Sequence, residues 1–141
     1  MRLYIAGPMR GYDEYNFPAF HKTASRLRRM GHTIISPAEM DEADDPNTTK
    51  ISEEETVRRT RMYVKRDVSA IVTVDALAML SGWQNSNGAM SEAFVAKVWC
   101  KMPLLYAATL LPISDLTWAV AVGHKVGLYD YVMEREEFNN G

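Results

Sequence analysis

Apolar residues recur along this chain in two rhythms, short unbroken runs and runs spaced three or four apart. Leu3-Tyr4-Ile5-Ala6 is unbroken and stops at Gly7-Pro8-Met9-Arg10-Gly11, which reads as a strand running into a loop. Asn16 precedes Phe17-Pro18, with proline near a first helical turn, and Phe20, Ala24 and Leu27 follow at helical spacing up to Met30-Gly31. Thr33-Ile34-Ile35 is β-branched and predicts a second strand, ended by Ser36-Pro37. Residues 41–50 are polar and read as a mobile loop or lid. Ser52 and Glu55 have capping-box spacing and open a helix expected to run to about Arg66. Ala70-Ile71-Val72-Thr73-Val74 is the strongest strand signal, a continuous run suited to a buried parallel sheet.

The polar stretch Gly82-Trp83-Gln84-Asn85-Ser86-Asn87-Gly88 then leads into an apolar helix reaching Lys101, and Pro103-Leu104-Leu105-Tyr106 predicts a fourth strand. Helices are expected over 114–122 and 129–138. Strands alternating with helices argue for an α/β fold, a Rossmann-like, doubly wound, mainly parallel sheet, in one domain spanning 1–141. Ligands of such sheets sit at the carboxyl ends of the strands, which directs attention to loops 7–11 and 75–87. Both contain glycines, which permit close backbone approach to a ligand.

Composition narrows the function classes. With 47% apolar and 24% charged residues the chain is ordinary for a globular protein, and a net charge of −2 supplies no general attraction to nucleic acid or anionic membranes. The basic run Arg58-Arg59-Thr60-Arg61 with Lys65-Arg66 follows Glu53-Glu54-Glu55, which suggests a solvated or subunit-facing helix surface. Cys100 stands alone, so no internal disulfide and no thiolate zinc site is expected, and His21, His32 and His124 lack metal spacing. Neither a dinucleotide fingerprint, a Walker loop nor a G-x-S-x-G elbow occurs. No apolar run has membrane-spanning length and the first residues do not read as a signal peptide, so the expectation is a cytoplasmic protein.

Two carboxylates are out of place for solvation. From Gly88 to Lys101, Lys97 and Lys101 share one side of the helix, while Glu92 projects to the other, beside Val95 and Trp99. A glutamate early in a helix also favours the macrodipole, but no capping box accounts for it, because the positions three after Ser86 and Asn87 are Ala89 and Met90. Asp67 lies near a helix C-terminus, where negative charge is disfavoured, and is either functional or paired with Lys65 or Arg66. Trp83 is placed either to stack on a base or to cover the sheet edge.

Tyr4-Ile5-Ala6-Gly7-Pro8-Met9-Arg10-Gly11, Asp67 and Ser86-x-Gly88-x-x-x-Glu92, in that order, resemble the nucleoside 2-deoxyribosyltransferase superfamily over roughly residues 3–107. Its branches include the 2′-deoxynucleoside 5′-phosphate N-hydrolases and pyrimidine-nucleotide N-glycosidases. The resemblance implies a Rossmann-like fold, cleavage of an N-glycosidic bond, no cofactor or metal, and a homodimer or higher homo-oligomer with shared active sites. It implies Glu92 as nucleophile, Asp67 as the aspartate that passes a proton to the leaving base, and Tyr4 as the hydroxyl orienting the glutamate.

The position six before the glutamate separates the branches. The transferases have an aspartate there, for a free 5′-hydroxyl, whereas the monophosphate hydrolases have a serine, here Ser86. A serine hydroxyl with the Gly88 and Ala89 amides at a helix N-terminus suits a phosphate dianion. Arg10 matches an arginine of the hydrolases' first loop. The hydrolases' usual G-x-x-E-L-G is replaced by Gly88-Ala89-Met90-Ser91-Glu92-Ala93-Phe94, which is less rich in glycine. The expected substrate-binding set is Gly7, Met9, Arg10, Phe17, Trp83, Ser86, Gly88 and Ala89, with His124 in a weaker C-terminal correspondence. The expected activity is hydrolysis of a (deoxy)nucleoside 5′-monophosphate to free base and sugar phosphate. The alternatives are a deoxyribosyltransferase and a non-catalytic nucleotide-binding or sensing module.

Overall fold

The computed structural model describes residues 1–44 and 52–125. Its frame is a four-stranded, wholly parallel sheet flanked by helices, an α/β fold. The strands are β1 (Arg2–Ala6), β2 (Thr33–Ile35), β3 (Ala76–Met79) and β4 (Leu104–Tyr106), in the spatial order β2-β1-β3-β4. The central strands β1 and β3 are paired from Leu3↔Ala76 to Ala6↔Met79. Asp75 sets that register: its N–H donates to the Arg2 carbonyl at 2.8 Å, and its carboxylate accepts from the Arg2 N–H at 2.7 Å.

Alternation along these strands divides the core into two layers. Leu3, Ile5, Ala76 and Ala78 face helix α1 (Phe17–Arg29), which buries Phe20, Ala24 and Leu27 against them. Tyr4, Ala6, Leu77 and Met79 face the opposite layer, which contains α4 (Asn87–Phe94), α5 (Asp115–Lys125) and the end of α3 (Glu53–Ile71). The helix α2 (Pro37–Asp44) follows β2 and is tied to α1 by the Arg28–Glu39 ion pair at 2.7 Å and the His21–Glu42 contact at 2.6 Å.

Strands one, two and four fall where their apolar runs predict, and α1 ends at Gly31, whose φ of 94° suits a residue without a side chain. The run 70–74 does not form a strand. Ala70 and Ile71 finish α3, which continues past Arg66, and 72–75 turn the chain, with Thr73 Oγ1 donating to the Ala70 carbonyl at 2.7 Å. The strand is Ala76-Leu77-Ala78-Met79, although alanine and methionine are poor strand formers. The slot between β1 and β4 is covered on both faces, and small residues at 76 and 78 let α1 approach, so packing overrides propensity.

Other expectations are modified. Residues 41–44 of the expected loop are the end of α2, while 45–50 lie outside the described residues, as does the helix expected over 129–138. The helix expected over 114–122 is α5, whose first turn is held by Ser114 Oγ accepting from the Thr117 N–H at 3.1 Å. The capping box is half formed: Ser52 Oγ accepts from the Glu55 N–H at 3.1 Å, but the Glu55 carboxylate turns to Arg58 and Arg59, which lower its pKa to about 2. Among the described residues, no helix is long and apolar enough to cross a membrane.

Gly7 is fixed by the fold itself. A Cβ built there would lie 2.7 Å from Leu80 Cβ and 2.9 Å from its Cδ1, because the chain leaving β1 runs hard against the chain leaving β3. Gly7→Ala is therefore expected to destabilise the protein by about 1–3 kcal/mol, the usual range for an overpacked core site. A urea-unfolding midpoint equal to wild type would mean that the loops separate without strain.

Candidate active site

The layer between the sheet and α3/α4 contains the polar groups that sequence periodicity marks as misplaced. Ser86 starts α4 in extended conformation (φ −103°, ψ 120°), and its Oγ accepts from the Ala89 N–H at 3.1 Å, a helix cap. Ala89 and Ala93 on α4, with Ala96 in the turn that follows, are wholly buried, and their small size lets the helix approach the sheet closely. Glu92, half-buried, belongs to the same side of the helix, so its carboxylate turns toward the sheet. There the hydroxyl of Tyr4, from the middle of β1, donates to Glu92 Oε2. After Phe94 the helix widens into a π turn, Val95–Trp99, which shifts the phase of the residues beyond it. Trp99 is consequently 76% exposed and does not lie on the Glu92 side as regular periodicity predicts.

Asp67 approaches the same region from α3, just over a turn before the end of that helix, near enough for its charge to act on Tyr4 and Glu92. Tyr4, Asp67 and Glu92, distant in sequence, thus form one cluster. Burial raises the Glu92 carboxyl to about 8; the Tyr4 hydrogen bond opposes that rise and the nearby Asp67 charge adds to it. Burial also raises Asp67, against the hydrogen bond and charge of Arg66. Burial and the two carboxylates raise Tyr4 so far that it stays a hydrogen-bond donor at every ordinary pH. The cluster therefore favours holding a proton near neutrality, with Glu92 its favoured seat.

The sequence reading named Arg66 only as an alternative partner of Asp67 and did not place it in this cluster. Arg66, placed by its neighbours in a basic surface run, has a side chain only 19% exposed. It contacts Asp67 Oδ1 through Nε at 2.9 Å and Nη2 at 2.8 Å, Asp41 through Nη2 at 2.7 Å and Asp44 through Nη1 at 3.0 Å. Its guanidinium also lies 5.0 Å from the centre of the Tyr63 ring. The ion-pair reading of Asp67, with Arg66 as partner, is thus realised. The i, i+1 spacing of Arg66 and Asp67 was the available signal, but nothing in sequence links either to Asp41 or Asp44.

The remaining candidates divide. Gly88 is exposed, and a Cβ there would meet only Ser86 Oγ, at 3.9 Å, so internal packing does not require glycine. Ala89 offers its N–H to Ser86 and not outward. Arg10 is exposed on the loop after β1; Met9 and Phe17 are half-buried against the α1-side core, with Phe17 between the rings of Tyr15 and His21. Between Arg10 and Phe17 the backbone makes a left-handed turn, with φ of 52°, 53° and 60° at Glu14, Tyr15 and Asn16, and Asn16 Nδ2 donates to the Pro8 carbonyl at 2.9 Å. Trp83 is corrected from a possible base-stacking surface to core: it is 2% exposed and stacks on Trp118 with ring centres 6.4 Å apart. His124 is exposed in the last turn of α5, whose Lys125 Nζ donates to the Asn85 carbonyl at 3.3 Å, against the loop that precedes Ser86.

A solved protein has the same fold. The 2-deoxyribosyltransferase of the psychrotolerant bacterium Bacillus psychrosaccharolyticus matches with a TM-score of 0.53, at 21% sequence identity, over 75% of this chain and 71% of its own. That enzyme is described as a biocatalyst for the synthesis of antiviral and antitumoral nucleosides. The profile of the family described as Domain of unknown function (DUF4406) matches residues 1–106, and the chain belongs to that family. Tyr4, Arg66, Asp67 and Glu92 all fall within the matched residues, whereas α5 lies beyond them. No curated protein matches the sequence significantly.

The buried glutamate has a consequence for stability. Its carboxyl ordinarily titrates near 4.5 and near 8 in the folded protein. The native state thus holds a proton that the unfolded chain releases, so the stabilisation is full below pH 4.5 and is lost as pH rises through 8. Glu92→Gln preserves an acceptor for Tyr4 but has no proton to lose. The excess of its Tm over that of wild type is expected to widen steadily from pH 4.5 to pH 8, as read by thermal melts. A constant difference would mean that Glu92 titrates as an ordinary surface carboxylate.

Proposed function

We propose that this protein hydrolyses the N-glycosidic bond of a nucleoside 5′-monophosphate, with Glu92 as nucleophile. The observation that carries the reading is the meeting of the Glu92 carboxylate, the Tyr4 hydroxyl and the Asp67 carboxylate in one partly buried cluster between β1, α3 and α4. A half-buried carboxylate held by a tyrosine on a helix with small neighbours is costly as a structural device.

The proton inventory suits the reaction. The nucleophile must be ionised, and the departing base must gain a proton. The proton held by Glu92 passes to Asp67 and on to the base nitrogen as the sugar C1′–N bond breaks and a Glu92 oxygen bonds to C1′. Water then attacks C1′ of the ester, gives its proton to the Asp67 carboxylate, and releases the sugar 5-phosphate with retained configuration. Tyr4 stays protonated, orients Glu92 throughout and balances its developing charge.

Ser86 supports the phosphate assignment. As a cap its Oγ accepts from Ala89, which leaves the hydroxyl hydrogen to be donated to a phosphate oxygen. The bare Gly88 beside it gives a ligand access to the first turn of α4, where the macrodipole favours an anion. Arg10 supplies a cation from the loop after β1. A second reading is transfer to an acceptor base instead of water. The shared fold with a 2-deoxyribosyltransferase favours it, and an added free base that intercepts the glycosyl ester would establish it. We further propose a homo-oligomer acting in the cytoplasm on this small-molecule substrate.

The direct test is chromatography for free base after incubation with the ribo- and deoxyribonucleoside 5′-monophosphates. Cleavage of at least one by wild type, and none by a folded Glu92→Ala, is expected; activity in that variant within a few-fold of wild type would exclude Glu92 as nucleophile.

Ser86→Asp tests the branch. Aspartate is as good a helix cap as serine, so α4 should be retained. Its charge against a phosphate dianion costs several kcal/mol, which depresses kcat/KM for the nucleotide by orders of magnitude while the matched nucleoside is spared or improved. An unchanged nucleotide-to-nucleoside ratio would reduce Ser86 to a cap and remove the phosphate assignment.

A further inference from the structure

Arg66 does more than neutralise a neighbour. Among its contacts, three carboxylates from two helices converge on one guanidinium: Asp67 on its own helix α3, and Asp41 and Asp44 on α2. A lysine would meet these carboxylates as a single compact charge, whereas the planar fork of arginine spreads the contacts over separate nitrogens at 2.7–3.0 Å. Both bonds to Asp67 fall on Oδ1, which fixes the rotation of that carboxylate and leaves the lone pairs of Oδ2 for other partners. The α2 anchors matter as well. Asp41 and Arg66 have side chains 24% and 19% exposed, so the pair is sheltered enough to hold the guanidinium in place.

We infer that Arg66 is a positioning residue of this site: pinned by Asp41 and Asp44 of α2, it holds the Asp67 carboxylate in the orientation from which Asp67 delivers its proton to the leaving group. This role rests on the proposed glycosidic activity, since it assigns Arg66 a part in that proton transfer. The charged and titratable groups around Asp67 are Tyr4 from β1, Asp41 and Asp44 from α2, Arg66 from α3 and Glu92 from α4, and Arg66 is the cation that makes Asp67 the stronger acid. A stronger acid passes the proton onward to the base instead of retaining it.

The test uses Arg66→Lys and Arg66→Ala in the full chain, with two readouts. The first is kcat and KM for a good and a poor leaving base. Misorientation of a catalytic group costs about 10- to 100-fold, so kcat is expected to fall by that much with little change in KM, more for the poor leaving base, and added guanidinium should restore Arg66→Ala. The second readout needs no turnover: the ¹³C NMR titration of the Asp67 carboxyl, assigned with Asp67→Asn, should move to higher pH in both variants. Arg66→Lys keeps a cation for α2 and remains informative should Arg66→Ala not fold. Unchanged kcat with an unmoved Asp67 titration in folded Arg66→Lys would overturn the role. If wild type cleaves no nucleotide, the glycosidic reading falls by itself, and an Asp67 titration that stays put in the variants then removes Arg66's hold on Asp67 as well.

Discussion

A half-buried carboxylate held against a parallel sheet is the constraint on which the rest of this structure depends. An ionised carboxylate taken out of water without a partner is prohibitively unfavourable, so such a group must hold a proton, accept a hydrogen bond or meet a cation. Glu92 does the first two. Its placement demands a donor from the sheet, supplied by Tyr4, and a helix close enough to bring the two together. The small residues Ala89 and Ala93 on α4, and Ala96 just beyond it, allow that approach. The stacked rings of Trp83 and Trp118 fill space in the same layer. The serine cap at the start of α4 and the π turn at its end both belong to the helix that carries the glutamate.

The neighbourhood is balanced by division of labour between two acids. Among the described residues Glu92 has no cation in contact and is pushed up by burial; Asp67 lies against Arg66 and is pushed up against opposition. Two like carboxylates in different environments hold protons unequally, which is the arrangement that nucleophile-and-acid chemistry requires. Arg66 extends the balance outward, since its remaining valences go to Asp41 and Asp44 and thereby join α2 to α3. Charge couples the Tyr4–Glu92 pair to the Arg66 ion-pair set, which reaches the end of α2.

The shared fold with a deoxyribosyltransferase at 21% identity fits this division between frame and site. A parallel sheet can be rebuilt with many apolar residues, as the alanines of β3 illustrate, so the frame tolerates wide sequence change. The cluster has fewer solutions. The match to the family takes in all of Tyr4, Arg66, Asp67 and Glu92 and ends at residue 106, before Trp118 and α5.

What the sequence determined by itself was local. The unbroken run at 3–6, the β-branched triplet at 33–35 and the proline and glycine bounds of α1 each depend on residues within one or two turns, and the structure follows them. The misplacement of Glu92 was legible for the same reason, because regular periodicity over its first two turns holds in α4. Periodicity failed where the backbone changed period, and Trp99 beyond the π turn is exposed as a result. The third strand was illegible because 70–74 has the better propensity but 76–79 has the fitting volume, and volume is judged by what packs on both faces of the sheet. Trp83 is core because Trp118, thirty-five positions on, lies beneath it. Arg66 reads as surface in sequence and is half-buried in space, since its partners Asp41 and Asp44 lie on another helix. Propensity and period act along the chain; burial and charge pairing act across it, and only the tertiary structure could decide those.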